Sequence, residues 1–385
     1  MSVPAWAAAL SSGADPALVA RVVRLVAAPW AHPDRVRRVV AARLDAGQPT
    51  DAVAVVEDLE GCGAGRLPAP ADVERLACRL IDTRTAVTVV GEPGYPTRLD
   101  SAWPELGAPL WLLLRSGTGR LPAGGGAVAV VGTRQPTLDG LETARALGRL
   151  LAGRGVVVVS GMARGIDQAA HRGALDVGGP TVAVLGTGLD VDYPARDGPL
   201  RDAVAGAGGL ATEYGPGVRP YPKHFLWRNR IISGLAEITV VVEGRARSGA
   251  LQTARLAAAQ GREVLAVPGS LHSPASRAPL DLIRDGVRPL TRLDEVLEVL
   301  DALPTATVPA AGHPGGPATV PPGQAGLDPV AHGILTLLGG TPASVDRLAG
   351  ATGQPAGAVL AALGDLTARG LAVVTPRGVV AAPPR

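Results

Sequence analysis

The sequence of 385 residues has little of what builds disulfide-rich, secreted or membrane-spanning proteins. Cys62 and Cys78 are its only cysteines, which excludes a disulfide framework. No uninterrupted apolar stretch approaches the length of a membrane-spanning helix, and the N-terminal segment lacks the basic region of a secretory signal. Charged residues make up only 18%, which argues against a disordered or coiled-coil chain. The sequence therefore predicts a soluble, cytoplasmic protein without a membrane partner.

Lysine and phenylalanine are almost absent, since Lys223 and Phe225 are the only residues of their kinds. The net charge is only +3, so a nucleic acid would have to be met by a local patch. Residues 219–262 form such a patch, because this segment contains eight basic and two acidic residues and has a net charge of +6. Positive charge is thus concentrated in this segment.

Composition and periodicity divide the chain into four parts. Residues 1–95 have amphipathic helical patterns and predict a small helical domain. Residues 96–300 alternate short apolar runs with helical patterns. Residues 301–328 are rich in Pro, Gly, Ala and Thr and are typical of a flexible linker. Residues 329–385 carry three helical patterns, around Ile334, from Ser344 to Leu348 and from Pro355 to Gly370, and then a hairpin, which together predict a winged helix.

The second part predicts an α/β fold with a Rossmann-like parallel sheet. Strands that alternate with helices at intervals of about 27 residues are typical of βαβ units. Runs that are apolar on both faces suit buried central strands. The predicted strands are Val128–Val131, Val156–Val159, Thr181–Leu185, Leu210–Thr212, Ile238–Val242 and Val264–Val267.

The turn after the first of these strands contains Gly132, Thr133 and Arg134. Glycine permits a tight turn, the following helix start offers N–H groups to an anion, and arginine can pair with phosphate through two hydrogen bonds. The turn matches neither the dinucleotide fingerprint nor a Walker motif, so nothing indicates ATP hydrolysis. An ordinary structural turn is the alternative interpretation.

The next turn contains Ser160, Gly161, Arg164 and Gly165, which could form a cradle for phosphate. The alternative is a tight strand-to-helix turn that Asp167 caps. Two further turns follow the strands that end at Val242 and Val267, and they contain Ser248 and Gly249, and Gly269. Open α/β sheets bind ligands at the carboxyl ends of their strands, so these turns together predict one site.

Residues 219–230 alternate basic and aromatic side chains, which is how many proteins bind single strands. The alternative is a solvated helix start in which Trp227 is buried. No arrangement of residues indicates catalysis or metal binding, and no cofactor is expected. His171 is interpreted as a packed or hydrogen-bonding histidine.

With these motifs in order along residues 95–300, the sequence resembles the DNA-processing protein A family, also called Smf. The resemblance rests on Tyr95–Leu99, Val130–Thr137, Ser160–Asp167, Ala170-His171, Tyr193-Pro194, Glu213-Tyr214, Arg228–Leu235, Ser248–Leu251 and Val267–Ser270. The family's lysine usually lies three positions before its phenylalanine, whereas Lys223 lies two before Phe225. The flanking helical domain, of the SAM or helix-hairpin-helix type, and the winged helix also fit longer members.

The resemblance implies a homodimer, without enzymatic activity, that binds single-stranded DNA and helps to load RecA recombinase in recombination and natural transformation. The residues expected to bind DNA are Gly132, Thr133, Arg134, Ser160, Gly161, Arg164, Gly165, Lys223, Phe225, Arg228, Asn229, Arg230, Ser248, Gly249 and Gly269.

Two alternative functions remain open from the sequence. A nucleotide phosphoribohydrolase of the lysine-decarboxylase-like family shares this type of core, but it would require a Pro-Gly-Gly-x-Gly-Thr loop, and only Glu213 and Glu243 are candidate acids near strand ends. A regulator of duplex DNA would act through the winged helix. The third helix of that domain offers only Arg369 against Asp365, too few side chains to read a major groove.

Overall fold

The computed structural model describes residues 3–63, 67–104, 107–123, 126–195 and 197–303, and separate stretches between 328 and 381. Residues 1–308 form one compact unit and residues 309–385 a second. Most of the predicted linker, and most of the first two helices predicted for the winged helix, lie outside the described residues.

Five helices begin the first unit, and their buried faces follow the apolar periodicity of the sequence. The second starts at a proline after Asp15, whose carboxylate accepts a hydrogen bond from the Ala17 N–H. The fifth buries Val73 and Leu76, as the pattern predicts. The helices are α1 Ala5–Leu10, α2 Pro16–Ala27, α3 Pro33–Asp45, α4 Ala52–Cys62 and α5 Pro70–Asp82.

A nine-stranded sheet forms the centre of this unit, with strand order β1-β2-β6-β5-β4-β3-β7-β8-β9. In this order, the seven strands β6-β5-β4-β3-β7-β8-β9 are all parallel to their neighbours. The predicted Rossmann-like core is therefore confirmed. The strands are β1 Thr85–Val89, β2 Trp111–Arg115, β3 Ala127–Val131, β4 Val157–Ser160, β5 Thr181–Val184, β6 Gly209–Thr212, β7 Ile238–Val241, β8 Glu263–Ala266 and β9 Arg288–Pro289.

The strands β1 and β2 were not expected, because the sequence predicts only helices before residue 95 and its first predicted strand begins at Val128. β1 pairs antiparallel with β2, and β2 pairs antiparallel with β6, so this hairpin extends the parallel sheet at one edge. Apolar residues of the sheet and of the first helices share one core. The helical region is therefore packed directly on the α/β core.

The remaining helices of this unit lie between the strands or follow the last one. α7 and α8 cross closely because both have glycine at the contact: a Cβ on Gly148 would lie 2.2 Å from the carbonyl oxygen of Ala170. The helices are α6 Thr97–Asp100, α7 Leu138–Gly153, α8 Ile166–Asp176, α9 Gly198–Ala207, α10 Pro222–Gly234, α11 Gly249–Ala259, α12 Arg277–Arg284 and α13 Glu295–Ala302, with a 3₁₀ turn at Pro274–Ser276.

In the second unit the described residues include α14 Ala356–Ala368 and two antiparallel strands, β10 Ala372–Thr375 and β11 Gly378–Ala381. They match the third helix and the hairpin that the sequence predicts there. Val359, Leu363 and Leu366 pack on Ile334 and Leu348 in a small core of their own.

Membrane-spanning helices and clusters of metal-binding side chains are both absent from the parts of the chain that the structure describes. None of the helices there is long and apolar enough to cross a bilayer. No group of three or more His, Cys, Asp or Glu side chains among those residues could hold a metal ion.

His171 on α8 gives the first testable prediction, because it is fully buried and its burial lowers its pKa to about 3. Its Nδ1 lies 2.7 Å from the Thr181 hydroxyl. The unfolded chain takes up a proton below pH 6.5 that the folded protein cannot, so stability is complete above that pH and falls below it. We expect a loss of about 2 kcal/mol between pH 6.5 and pH 5 in urea unfolding.

The matched control is His171→Gln, which cannot be protonated and should flatten this pH dependence. His224, whose pKa burial also lowers, accounts for a residual slope of the same sign. An equal pH dependence in the two proteins would contradict the prediction.

Candidate nucleic-acid interface

A pocket of about 460 Å³ opens at the carboxyl ends of β3, β4 and β5. Three neighbouring parallel strands end there, which is where open α/β sheets place their ligands. None of the described residues that line this pocket is acidic. The lining residues are Arg134, Gln135, Gly161, Met162, Ala163, Arg164, Leu185, Gly186, Thr187, Tyr193, Pro194, Ala195, Phe225 and Arg228.

An aromatic wall closes one side of this pocket, where Phe225 and Tyr193 meet with ring centroids 5.0 Å apart. The guanidinium of the exposed Arg134 lies 5.4 Å from the centre of the Phe225 ring, in a cation–π contact. The ring also packs on the backbone of Gly186, where an added Cβ would lie 3.0 Å from it. The pocket thus presents a fixed ring beside a cation that can still reach a ligand.

Arg228 forms the buried, positive floor of the pocket. It is 3% exposed, and its Nη1 donates to the Val184 carbonyl oxygen at 2.6 Å. Burial lowers its pKa to about 10, with Asp167 opposing this shift, so the guanidinium stays charged at neutral pH. A Cβ on Gly161 would lie 1.9 Å from Arg228 Nη1. This glycine is therefore needed for the arginine to pass beneath the turn.

The second turn is held from inside by Asp167, which is the structural alternative considered from the sequence. The Asp167 carboxylate accepts from the backbone N–H groups of Gly161 and Ala163, at 3.1 and 3.2 Å. The hydroxyl of the buried Ser160 donates to Val130. Neither the Gly161 N–H nor the Ser160 hydroxyl is thus left for an anion, whereas the exposed side chain of Arg164 is.

The backbone of this turn is unusual at two positions. Gly165 has a φ of +88°, and a Cβ there would lie 2.5 Å from the Thr133 carbonyl oxygen, which explains the glycine. Met162, a lining residue of the pocket, has a φ of +60° although it is not glycine. Such strained conformations cluster at ligand sites.

The start of α7 differs from the sequence expectation, because two of its N–H groups, those of Thr137 and Gly140, are already bonded and not free for a phosphate. The carboxylate of Glu243 accepts from the N–H of Thr137 at 3.0 Å and from its hydroxyl at 2.6 Å. The Thr137 hydroxyl in turn accepts from the Gly140 N–H and caps the helix. Gly132 and Thr133 lie in this turn, where a Cβ on Gly132 would be 2.5 Å from Ile166. Of the three expected residues, only Arg134 lines the pocket.

Most of the basic and aromatic segment, residues 219–230, lies in α10, and its side chains point to different parts of the protein. Lys223 is exposed and lines another pocket. Asn229 is buried, and its side chain donates to the Gly249 carbonyl oxygen at 3.3 Å. Arg230 is buried in an ion pair with Glu213. Lys223 and Arg230 therefore do not line the pocket of Arg134, because the helix directs them elsewhere, and their contact with DNA stays a prediction.

The last three expected residues lie outside this pocket as well. Ser248 caps α11, since its hydroxyl accepts from the Leu251 N–H at 3.3 Å. Gly249 is the first residue of that helix. A Cβ on Gly269 would lie 2.3 Å from the Ser276 hydroxyl, so this glycine serves a close approach of two loops.

Sequence reasoning missed the part of the pocket that follows β5. Leu185, Gly186 and Thr187 leave this strand as the other turns leave theirs, so the same pattern was available. Tyr193 was noted only as part of a motif. Its place beside Phe225 brings together two rings that are 32 positions apart in sequence, with α9 and β6 between them, which no local pattern reveals.

The fold and the pocket define a Rossmann-like protein with a basic pocket beside an aromatic ring at the carboxyl ends of its parallel strands. A family model described as DNA recombination-mediator protein A matches residues 86–301, and a DprA winged helix domain matches residues 317–376. The chain belongs to the DNA recombination-mediator protein A family. Neither model describes a catalytic family.

Individual relatives agree with this assignment. A putative DNA processing protein DprA from Mycobacterium tuberculosis is 51% identical over 45% of this chain and 44% of its own length. Protein Smf from Escherichia coli is 39% identical over 66% of this chain and 67% of its own. The X-ray structure of DprA from Streptococcus pneumoniae superposes with a TM-score of 0.56, at 30% identity, over 72% of this chain and 97% of the other. This chain matches less than half of the length of the mycobacterial relative.

Proposed function

We propose that this chain binds single-stranded DNA at the pocket of Arg134 and Phe225, and that it acts in recombination and natural transformation by binding and not by catalysis. One observation carries the proposal: three arginines and two aromatic rings line the pocket, and none of its described lining residues is acidic. Cations hold phosphates and rings stack on bases, which is the general mode of single-strand binding. In this function the chain works as a homodimer and helps to load RecA recombinase, as the family resemblance implies.

The position of the ring favours a single strand over a duplex. Phe225 lies inside a pocket at the carboxyl ends of the strands. A base must therefore leave its stack to reach the ring. A base in a duplex must first be unpaired, at a cost of a few kcal/mol, whereas a single strand presents its bases freely.

The two candidate acids for nucleotide hydrolysis are both engaged elsewhere. Glu243 caps α7 through Thr137, and Glu213 is paired with Arg230. Neither lines the pocket of Arg134. The geometry therefore favours binding over a phosphoribohydrolase reaction.

The test compares oligo-dT, a duplex of equal length and nucleoside monophosphates by fluorescence anisotropy. We expect the single strand to bind at least about tenfold tighter than the duplex, with affinity that falls steeply as salt rises. Equal affinities at moderate salt would disprove the single-strand assignment. Release of ribose phosphate from the monophosphates would instead support the hydrolase.

Assembly and partner are tested separately. Light scattering on the full chain should give the mass of a dimer. RecA filaments should form faster on single-stranded DNA when this chain is present than when it is absent. A monomer, or unchanged filament formation, would remove that part of the proposal and leave DNA binding in place.

A further inference from the structure

A second pocket, of about 420 Å³, lies on the other side of the first turn of α10. Its opposite wall is the connection between α2 and α3 and the start of α3. Trp111 also lines it. Of the five Trp, four Tyr and one Phe in the chain, six line one of the two pockets. Aromatic side chains, scarce elsewhere, are thus concentrated on both sides of this helical turn.

Four rings form a continuous surface in the second pocket. Tyr214 and His224 stack with centroids 4.3 Å apart and planes inclined by 25°. Tyr221 meets His224 edge-on at 5.4 Å, and Trp227 follows at 6.2 Å. The Arg37 guanidinium lies 4.3 Å from the Trp227 ring centre and supports it from α3. Tyr221 is 51% exposed, so part of this surface is open to a flat ligand.

Buried polar atoms in this pocket lack partners. The hydroxyl of Tyr214, which is 3% exposed, has no hydrogen bond, and neither does Oε1 of Glu213, which is 4% exposed. An unpaired buried polar atom costs free energy that a ligand's hydrogen bonds can recover. Both Tyr214 and Glu213 line the pocket, so its inner end is built to bond with a polar group.

The charges of the pocket favour a neutral ligand inside and an anion at the rim. The carboxylates of Glu213 and Asp34 line the pocket and are paired with Arg230 and Arg37, so these two pairs offer no net positive charge to a phosphate. Burial raises the pKa of Tyr214 and lowers that of His224, so both rings are neutral at pH 7. Lys223 is an exposed cation that also lines this pocket. A neutral ring with N–H and carbonyl groups, attached to a phosphate, fits this arrangement.

We propose that the second pocket binds a nucleobase of the same DNA strand, stacked on the rings of Tyr221, His224 and Trp227, while Lys223 holds the adjoining phosphate. The inference rests on the proposed function, since it extends the strand beyond the pocket of Arg134. His224 and Phe225 are neighbours in sequence and point to opposite pockets, so the strand crosses the first turn of α10. The inner hydrogen-bonding groups then read the edge of the base.

The test measures how affinity grows with the length of the strand. Oligo-dT of about four and about twelve nucleotides is bound to the wild-type chain and to Tyr221→Ala. The side chain of Tyr221 makes no helix-capping hydrogen bond, so the substitution should leave the melting temperature within error. We expect the ratio of long-strand to short-strand affinity to fall about fivefold or more, the lower end of what one stacked base contributes.

Two controls separate this inference from the proposed function. Val177→Ala removes a similarly exposed apolar side chain next to α8, outside both pockets, and should behave as wild type at both lengths. Phe225→Ala should weaken both lengths. If the wild-type chain binds neither strand, the proposed function itself fails. If it binds both and Tyr221→Ala keeps the wild-type ratio, only the second pocket is refuted.

Photochemical crosslinking gives an independent readout that does not depend on a variant. A long strand substituted with 5-iodouracil should crosslink to Tyr221, His224 or Trp227 as well as to the first pocket. Crosslinks confined to Phe225 and Tyr193 would overturn the inference.

Discussion

Replacing Arg134 with alanine is expected to weaken single-stranded DNA binding about tenfold or more. The side chain is exposed, sits over the Phe225 ring and is not held by a carboxylate, so it is available to a phosphate. Charge-assisted hydrogen bonds contribute about 1.5–3 kcal/mol. Since one phosphate contact is lost, the slope of log affinity against log salt should become shallower by about 0.7. Titrations of oligo-dT at several salt concentrations measure both quantities.

The matched control is Arg172→Ala, which removes an exposed cation of α8 that lines neither pocket. Phe225→Ala provides the contrast, because it should cost about 1–3 kcal/mol of affinity without changing the salt slope. If Arg134→Ala and Arg172→Ala had equal effects, the positive charge would act as a general field and not as a site. If Phe225→Ala instead lowered only thermal stability, the ring would be part of the core.

Replacing Glu213 with alanine is expected to destabilise the fold by about 3–5 kcal/mol, the cost of removing one partner from a buried ion pair. The side chains of Glu213 and Arg230 are only 4% and 7% exposed. Arg230 already has Nε and Nη1 without hydrogen bonds, so the glutamate is its main compensation. Urea unfolding followed by circular dichroism should show the loss as a lower midpoint with an unchanged slope.

The double variant Glu213→Leu with Arg230→Met tests the cause, since replacing both charges with apolar groups should recover much of the stability. An unchanged midpoint in Glu213→Ala would mean that the pair contributes nothing. Arg230→Met, compared per folded molecule, also tests the sequence expectation for this arginine. A loss of DNA affinity without a loss of stability would return it to the DNA site.

The parallel core could be predicted from the sequence because a buried strand is a short continuous run of apolar residues, which is a local signal. Val156–Val159 is apolar on both faces, which is what a strand covered by helices on both sides requires. The antiparallel edge was missed for the opposite reason. Thr85–Val89 directly follows a helical pattern, and its partner Trp111–Arg115 lies more than twenty residues away. Pairing at that distance leaves no periodic signal.

The candidate site was predictable where a turn directly leaves a strand, as at Arg134 and Arg164. It was not predictable where a side chain's direction depends on what packs around it. Arg228 and Arg230 are two residues apart on α10. Arg228 lies under the first pocket, whereas Arg230 lies outside it and pairs with Glu213. Both arginines count equally in a sum of charges. The helix, together with a glutamate at the end of β6, distinguishes them.

The position of Lys223 on the first turn of α10 bears on how such proteins diverge. Residues along a helix are rotated by about 100° per position. A basic residue that moves by one position therefore changes the pocket that it serves, although net charge, length and helical propensity stay the same. Under the proposed function, a shift of this lysine by one position would move its phosphate contact from one pocket to the other. An alignment that tolerates a one-residue gap beside Pro222 would erase the difference.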